Sequence, residues 1–153
     1  MLRRLIAAVL CVGILAGAAA TAEAARKYRS GVYRGETAQK AKLSLKVVKS
    51  KKAIMNFDWE GAVMGCSDGQ NRQLNGFRSP DDVRFKLSKK GKFKIRVGGS
   101  EGAVEFNARG RIKKKKATGV IQLQALFNEN DELDPQGSVL CDSELVTWTA
   151  RHK

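Results

Sequence analysis

The chain has 153 residues, a formal net charge of +14, one histidine and three cysteines. Domains of roughly 100 to 150 residues are the commonest, so this length leaves room for one hydrophobic core and excludes a second. So few histidines and cysteines argue against a zinc cage. The strong positive charge points instead to polyanions as binding partners.

Residues 1–24 have the layout of a secretory signal peptide. Arg3 and Arg4 form a positively charged n-region, and an uncharged apolar h-region follows. Ala22-Glu23-Ala24 then provides a small-x-small cleavage site. Two alternatives stay open: a permanent membrane anchor, since the apolar run is near the lower limit for spanning a bilayer, and twin-arginine export. We expect cleavage after Ala24 and a secreted or envelope-associated domain of residues 25–153.

The mature domain keeps two cysteines, Cys66 and Cys141, because Cys11 lies within the leader. Oxidising compartments favour the pairing of two such cysteines. The chain-entropy estimate for a closed loop of about 75 residues is roughly 4 to 5 kcal/mol. We therefore predict a structural disulfide rather than a reactive cysteine. Loss of Arg3, Arg4 and Glu23 lowers the net charge by one, to +13.

Alternation of apolar and polar residues recurs along the mature chain, and no window sustains helical spacing. Such alternation is typical of half-buried strands, and turn signals every 8 to 12 residues or so are typical of β-sandwiches and barrels. We predict one all-β, antiparallel sandwich or barrel-like domain of about seven to nine strands. The predicted strands are 31–36, 42–47, 52–59, 72–78, 83–87, 93–97, 104–109, 117–127 and 145–151.

Two of these pairs read as hairpins, namely 83–87 with 93–97 and 104–109 with 117–127. Segments 61–71 and 128–144 are less regular, and each carries one cysteine. The predicted disulfide would therefore tie a mid-chain turn to the segment before the last strand.

Several short motifs resemble those of a group of small secreted actinobacterial proteins of unknown function. They are Gly31-Val32-Tyr33-Arg34-Gly35-Glu36-Thr37, Cys66-Ser67-Asp68-Gly69, Gly91-Lys92-Phe93, Ala117-Thr118-Gly119, and Cys141-Asp142-Ser143 followed by Trp148-Thr149-Ala150. The resemblance covers nearly the whole mature chain. It implies a compact β fold with two paired cysteines, and it brings no activity.

Residues suited to catalysis or metal binding are few. The only histidine, His152, is next to last, where chains usually fray. Asp58 and Glu60 would share one strand face opposite Trp59, as a carboxylate pair for an extracellular enzyme requires, but a solvated acidic edge is the favoured interpretation. The acidic stretch 128–134 lacks the spacing of a calcium loop. We expect no catalytic residues, no metal and no cofactor.

Basic residues carry the remaining functional hypothesis. They lie at polar positions of alternating strands and at two turns, and a cationic strand face would bind polyanions in a salt-sensitive way. The candidate polyanion-binding residues are Lys113, Lys114, Lys115, Lys116, Lys89, Lys90, Lys92 and Arg96.

We expect a non-enzymatic monomer, whose candidate partners are anionic cell-wall polymer, acidic lipid and extracellular nucleic acid. Two alternatives to polyanion binding stay open besides the enzyme. Lysines on turns and edges also keep β proteins soluble, and a protein–protein module would show an exposed apolar patch. The sequence alone identifies no ligand.

Overall fold

A computed structural model of the chain describes residues 28–74, 76–99 and 102–153. The predicted signal peptide lies outside these residues. The described part contains twelve strands in one antiparallel sheet and no helix, which confirms the all-β prediction. The strands are β1 (Gly31–Thr37), β2 (Lys42–Val48), β3 (Ala53–Trp59), β4 (Ala62–Cys66), β5 (Asn71–Leu74), β6 (Phe77–Arg78), β7 (Phe85–Lys86), β8 (Lys92–Gly99), β9 (Val104–Lys113), β10 (Lys116–Phe127), β11 (Val139–Asp142) and β12 (Val146–His152).

Eight strands curl into a nearly closed, barrel-like sheet. The neighbours run β8, β9, β10, β12, β1, β2, β3 and β7. The ring is completed where β7 pairs with β3 and where Leu87, just after β7, bridges to Phe93 of β8. Closure of this kind leaves few free strand edges, which are a liability for aggregation.

The four remaining strands are short and lie at one end of this barrel. Strand β6 extends the pairing of β3, whereas β11, β4 and β5 form an extension beside β10. Strand β10 is twelve residues long, so it pairs with β12 over its first half and with β11 over its second. The predicted single strand at 72–78 is in fact two strands, β5 and β6, with different partners.

The predicted disulfide is confirmed. Cys66 of β4 and Cys141 of β11 lie directly opposite each other in register and are covalently joined. Cys141 is buried. The bond therefore fixes the β4–β5 hairpin to β11, and through β11 to β10.

Alternate residues of every long strand face a common aromatic core. Trp59, Tyr33, Phe57 and Phe106 are fully buried in it. Phe77, from β6, stacks on Phe106 with ring centroids 3.9 Å apart, and so packs β6 against the core. These aromatic side chains therefore pack the core, where burial of their large apolar area stabilises the fold.

Two facing glycines make room for one of the core tryptophans. Gly110 of β9 and Gly119 of β10 are paired in register. A Cβ atom on Gly119 would come within 2.8 Å of Cζ2 of Trp148, and one on Gly110 within 2.9 Å of the same atom. The indole ring of Trp148 therefore occupies the space that two side chains would otherwise fill, and it packs against Phe93 and Phe57.

Candidate polyanion-binding surface

The two lysine-rich turns found in the sequence lie side by side at one end of the barrel. The backbone N–H of Ile112 donates to the carbonyl oxygen of Gly91 over 2.8 Å, which places the β7–β8 turn against the end of β9. The structure thereby brings together seven of the eight candidate residues: Lys89, Lys90, Lys92, Lys113, Lys114, Lys115 and Lys116.

The β9–β10 turn is held in place by the core. The hydroxyl of Tyr33 lies 3.1 Å from the carbonyl oxygen of Lys114 and 3.0 Å from that of Arg29. Burial raises the pKa of this hydroxyl above its ordinary value. The N–H of His152 donates to the carbonyl oxygen of Lys115. The backbone of this turn is therefore fixed, while its four lysine side chains are exposed.

We call this end of the barrel the basic end. Its segments are residues 28–30, 49–52, 87–92, 113–116 and 151–153, and none of them contains an acidic residue. Hydrogen bonds from Ser30 to Val47 and from the N–H of Lys153 to the carbonyl of Val32 bring segments 28–30 and 151–153 to it. Its exposed cations are Arg29, Lys49, Lys51, Lys52, Lys89, Lys90, Lys92, Lys113, Lys114, Lys115, Lys116, Arg151 and Lys153.

The opposite end carries much of the acidic charge. Asp68 and Asp131 both accept from the guanidinium of Arg72, at 2.7 and 2.5 Å, which links the β4–β5 turn to the loop after β10. The backbone N–H of Gln70, together with Arg72, lowers the pKa of Asp68. Glu60, Glu129, Glu132, Asp134, Asp142 and Glu144 lie in turns and strands at this same end. Charge is therefore separated along the barrel.

Cations also line the outer surface of the barrel wall next to the basic end. We call this surface the cationic face, and all of its members are exposed: Arg34, Lys92, Lys94, Arg109, Arg111, Lys113, Lys116 and Arg151. They come from five neighbouring strands, β8, β9, β10, β12 and β1. None of them takes part in an ion pair within the described residues.

The register of the cationic face places like charges directly opposite each other. Five such pairs occur: Lys92 with Arg111, Lys94 with Arg109, Lys113 with Lys116, Lys116 with Arg151, and Arg34 with Arg151. Elsewhere in the described sheet, directly opposed charges have opposite signs, as in Glu36 with Lys42 and Asp58 with Arg78. Like charges directly opposite each other are destabilising.

The cationic face ends where carboxylates enter the same side of the sheet. Arg96, which the sequence groups with the binding lysines, pairs with Glu105 at 3.0 Å and lies farther along β8. Beside it, the amide groups of Gln122 and Gln124 donate to the carboxylate of Asp142 at 2.8 and 2.7 Å. Arg96 therefore does not share the unpaired state of the other seven candidates.

Two adjoining depressions run along the cationic face. One, of about 550 Å³, is lined by Lys92, Arg111 and Thr118, and the other, of about 320 Å³, by Lys94, Asn107, Gln122 and Leu145. Arg109 and Val120 line both of them. Because they share two lining residues, the two depressions adjoin as one shallow, open groove on the outer surface of β8, β9 and β10, which extends from the basic end toward the middle of the sheet.

Asp58 lies on the outer side of β3, and Glu60 follows directly after that strand. Both residues line a depression of about 330 Å³. Trp59, between them, is fully buried. Asp58 accepts from the Nε of Arg78 and from the hydroxyl of Ser44, each at 3.2 Å. Both carboxylate oxygens of Asp58 are therefore held by side chains of neighbouring strands.

The acidic loop after β10 is organised by its own hydrogen bonds. The side-chain oxygen of Asn128 accepts from the backbone N–H groups of Asn130 and Glu132. In the described part of the chain, no group of three or more His, Cys, Asp or Glu residues is placed to hold a metal ion.

Sequence reasoning missed the arginines of the cationic face. Arg109, Arg111 and Lys113 are two residues apart in one predicted hairpin, so their side chains fall on the same side of the sheet. This alternation indicates from the sequence alone that the two arginines lie beside Lys113. Arg34 and Arg151 join the face because β12 lies between β10 and β1, and one sequence gives no sign of that order.

Comparison with known proteins finds no family model, no curated protein and no solved structure that matches this chain. The resemblance to small secreted actinobacterial proteins therefore stays a prediction. In the described ranges there is no helix long and apolar enough to cross a membrane.

Proposed function

We propose that the mature domain is an exported, non-enzymatic module that binds linear anionic polymers through the cationic face. The observation that carries this proposal is the set of five like-charged pairs that are directly opposed in register, because none of their members forms an ion pair with a carboxylate among the described residues. A bound polyanion would supply the missing negative charge.

A purely solubilising role explains this arrangement less well. Solubility calls for charges of both signs interspersed over the surface, and the same sheet pairs Glu36 with Lys42 and Arg96 with Glu105. Within the described sheet, only the cationic face places like charges directly opposite each other. A structural cost confined to one surface, with no structural benefit there, favours selection for binding.

Export supports the extracellular setting of this activity. The leader predicts secretion, and the disulfide between Cys66 and Cys141 is of the kind that oxidising compartments maintain. The polymers available to the domain are then those of the envelope and its surroundings. N-terminal sequencing of the exported protein tests this part, with Ala25 expected as the first residue.

Binding by this surface should depend strongly on salt. Neutralising a polyanion releases its condensed counterions, and the slope of log K against log salt is about −0.7 for each charge on a flexible single chain. Contact with about five anionic groups predicts a slope of about −3 to −4. A slope near zero would contradict electrostatic docking.

The deciding experiment measures retention of the exported protein on immobilised inorganic polyphosphate across a salt series. The test variant carries Lys92→Gln, Lys94→Gln, Arg109→Gln and Arg111→Gln, and the control variant carries Lys40→Gln, Lys42→Gln, Lys46→Gln and Arg84→Gln. Both lose the same charge. We expect elution at much lower salt for the test variant only. Equal weakening of both, or no retention of the unaltered protein, would overturn the proposal.

A further inference from the structure

The inner half of the groove combines cations with an apolar floor. Lys94 and Arg109 lie on one side of it, paired in register. Val120, which is paired in register with Arg109, and Leu145 supply aliphatic surface beside them, and the amide groups of Asn107 and Gln122 come next along β9 and β10. Among the residues that the structure describes, no aspartate or glutamate lines this part of the groove. Its chemistry therefore suits a ligand that is anionic at one point and carbon-rich beside it.

Leu145 stands out among the groove residues. With 60% of its surface exposed, it is the most exposed of the large hydrophobic residues that the structure describes. Along β10 the neighbouring outward positions are polar, namely Lys116, Thr118, Gln122 and Gln124, whereas Val120 is aliphatic. An aliphatic pair at this place, within an otherwise polar face, adds nothing to solubility.

The two amide groups lining the groove are oriented by acidic neighbours. The NH₂ of Asn107 donates to Glu105 at 2.9 Å, and the NH₂ of Gln122 donates to Asp142 at 2.8 Å. These bonds fix the orientation of both amides and leave their oxygens without a hydrogen-bonded partner among the described residues, and an amide oxygen accepts hydrogen bonds from hydroxyl groups. This end of the groove is thus suited to hydroxyls.

We propose that the groove binds a polymer of polyol or sugar units joined by phosphodiester links. A phosphate lies between Lys94 and Arg109, the carbon skeleton of the adjoining unit lies on Val120 and Leu145, and its hydroxyl groups donate to Asn107 and Gln122. This inference rests on the proposed function and specifies the class of polymer.

Nucleic acid fits the same groove less well. Single-stranded nucleic acid is held largely by stacking of its bases on aromatic side chains. Every aromatic residue in the described part of the chain is buried or half-buried, and none lines the groove. An aliphatic floor suits a saturated unit better than a base.

The test compares three probes by titration calorimetry: poly(glycerol phosphate), inorganic polyphosphate, which has the charge without carbon, and single-stranded oligonucleotide. The variant is Leu145→Ala, with Leu140→Ala as the control, because Leu140 is also an exposed leucine but lies on β11. We expect Leu145→Ala to weaken binding of poly(glycerol phosphate) about five-fold. We expect its affinity for polyphosphate to be unchanged, and Leu140→Ala to alter neither.

The outcomes separate the two proposals. If the unaltered protein binds none of the probes, the proposed function fails and this inference fails with it. If it binds polyphosphate but not poly(glycerol phosphate), or if Leu145→Ala has no selective effect, this inference alone is overturned. An oligonucleotide that responds to Leu145→Ala as strongly as poly(glycerol phosphate) does would also overturn it.

Discussion

Lys94 and Arg109 lie directly opposite each other on β8 and β9, and both side chains are exposed. Within the described residues, no carboxylate forms an ion pair with either of them. Cross-strand pairs of opposite charge contribute roughly 0.2 to 1 kcal/mol, and like charges act in the reverse sense. The like-charged pairs of the cationic face therefore lower the free energy of unfolding. A mutation that reverses one of these charges should raise the stability of the fold and weaken polyanion binding, so the two properties can be measured separately.

Lys94→Glu should make the protein more stable and a poorer polyanion binder. The new carboxylate would face Arg109, so repulsion becomes attraction and the free energy of unfolding should rise by about 0.5 to 1 kcal/mol. At the same time a negative charge enters the groove. Urea denaturation measures the first effect, and the salt at which the protein elutes from polyphosphate measures the second.

The matched control for this charge reversal is Lys40→Glu, in the β1–β2 turn at the other end of the barrel. It changes the net charge by the same amount. If Lys40→Glu weakens binding as much as Lys94→Glu does, net charge rather than the cationic face governs binding.

A substitution at Lys114 provides a second test in which stability and polyanion binding should change in different directions. Its φ of 51° lies in the left-handed region, which most side chains adopt at a cost of roughly 1 to 2 kcal/mol and asparagine adopts more readily. Lys114→Asn should leave the free energy of unfolding unchanged or raise it by up to about 1 kcal/mol. Removal of one cation from the basic end should weaken polyphosphate binding.

Thermal denaturation and polyphosphate titration of the same Lys114→Asn preparation check this prediction. Lys40→Asn is the control, since Lys40 also has a positive φ, of 63°, and lies at the other end. Stability should respond similarly in the two variants, whereas binding should weaken only in Lys114→Asn. Unchanged binding in both would mean that Lys114 does not contact the polymer.

The fold was largely predictable, because alternation along the strands reports directly which residues face a core. Val146, Trp148 and Ala150 fall on one predicted face and are all buried. The short strands were not predictable. Strand β6 has two residues, and β4 and β11 were assigned to irregular segments, because pairing with distant strands stabilises them more than local propensity does.

The candidate site was predictable only in part. Lysines adjacent in sequence, as at 113–116, are adjacent in space wherever the strands go. The like-charged pair of Arg34 and Arg151 depends on a contact between the first and last strands, which alternation does not encode. Arg96 has the same phase as Lys94, and only the position of Glu105 opposite the end of β8 distinguishes them.

Gly119→Ala should destabilise the barrel strongly. The added methyl group would meet the carbonyl oxygen of Arg109, the Cα of Gly110 and the ring of Trp148, and all three belong to the packed wall and core. Overpacking of this kind typically costs about 1 to 3 kcal/mol, and more where it forces the backbone to shift. We therefore expect the free energy of unfolding, measured by urea denaturation, to fall by about 3 kcal/mol. Gly99→Ala is the control, because nothing lies within 4 Å of the added atom; a comparable loss there would contradict the packing argument.

Removal of the disulfide should reduce stability without affecting polyanion binding. The bond joins residues separated by 75 positions, so the double variant Cys66→Ala, Cys141→Ala should lose about 4 kcal/mol in urea denaturation. Addition of a reductant to the unaltered protein should give a similar loss.

In the folded double variant Arg72, paired with Asp68 and Asp131, still links the β4–β5 turn to the loop after β10. Because the cationic face lies at the other end of the barrel, the folded double variant should elute from polyphosphate at the same salt as the unaltered protein. Weaker retention of that folded variant would show that the β4–β5–β11 extension contributes to the binding surface.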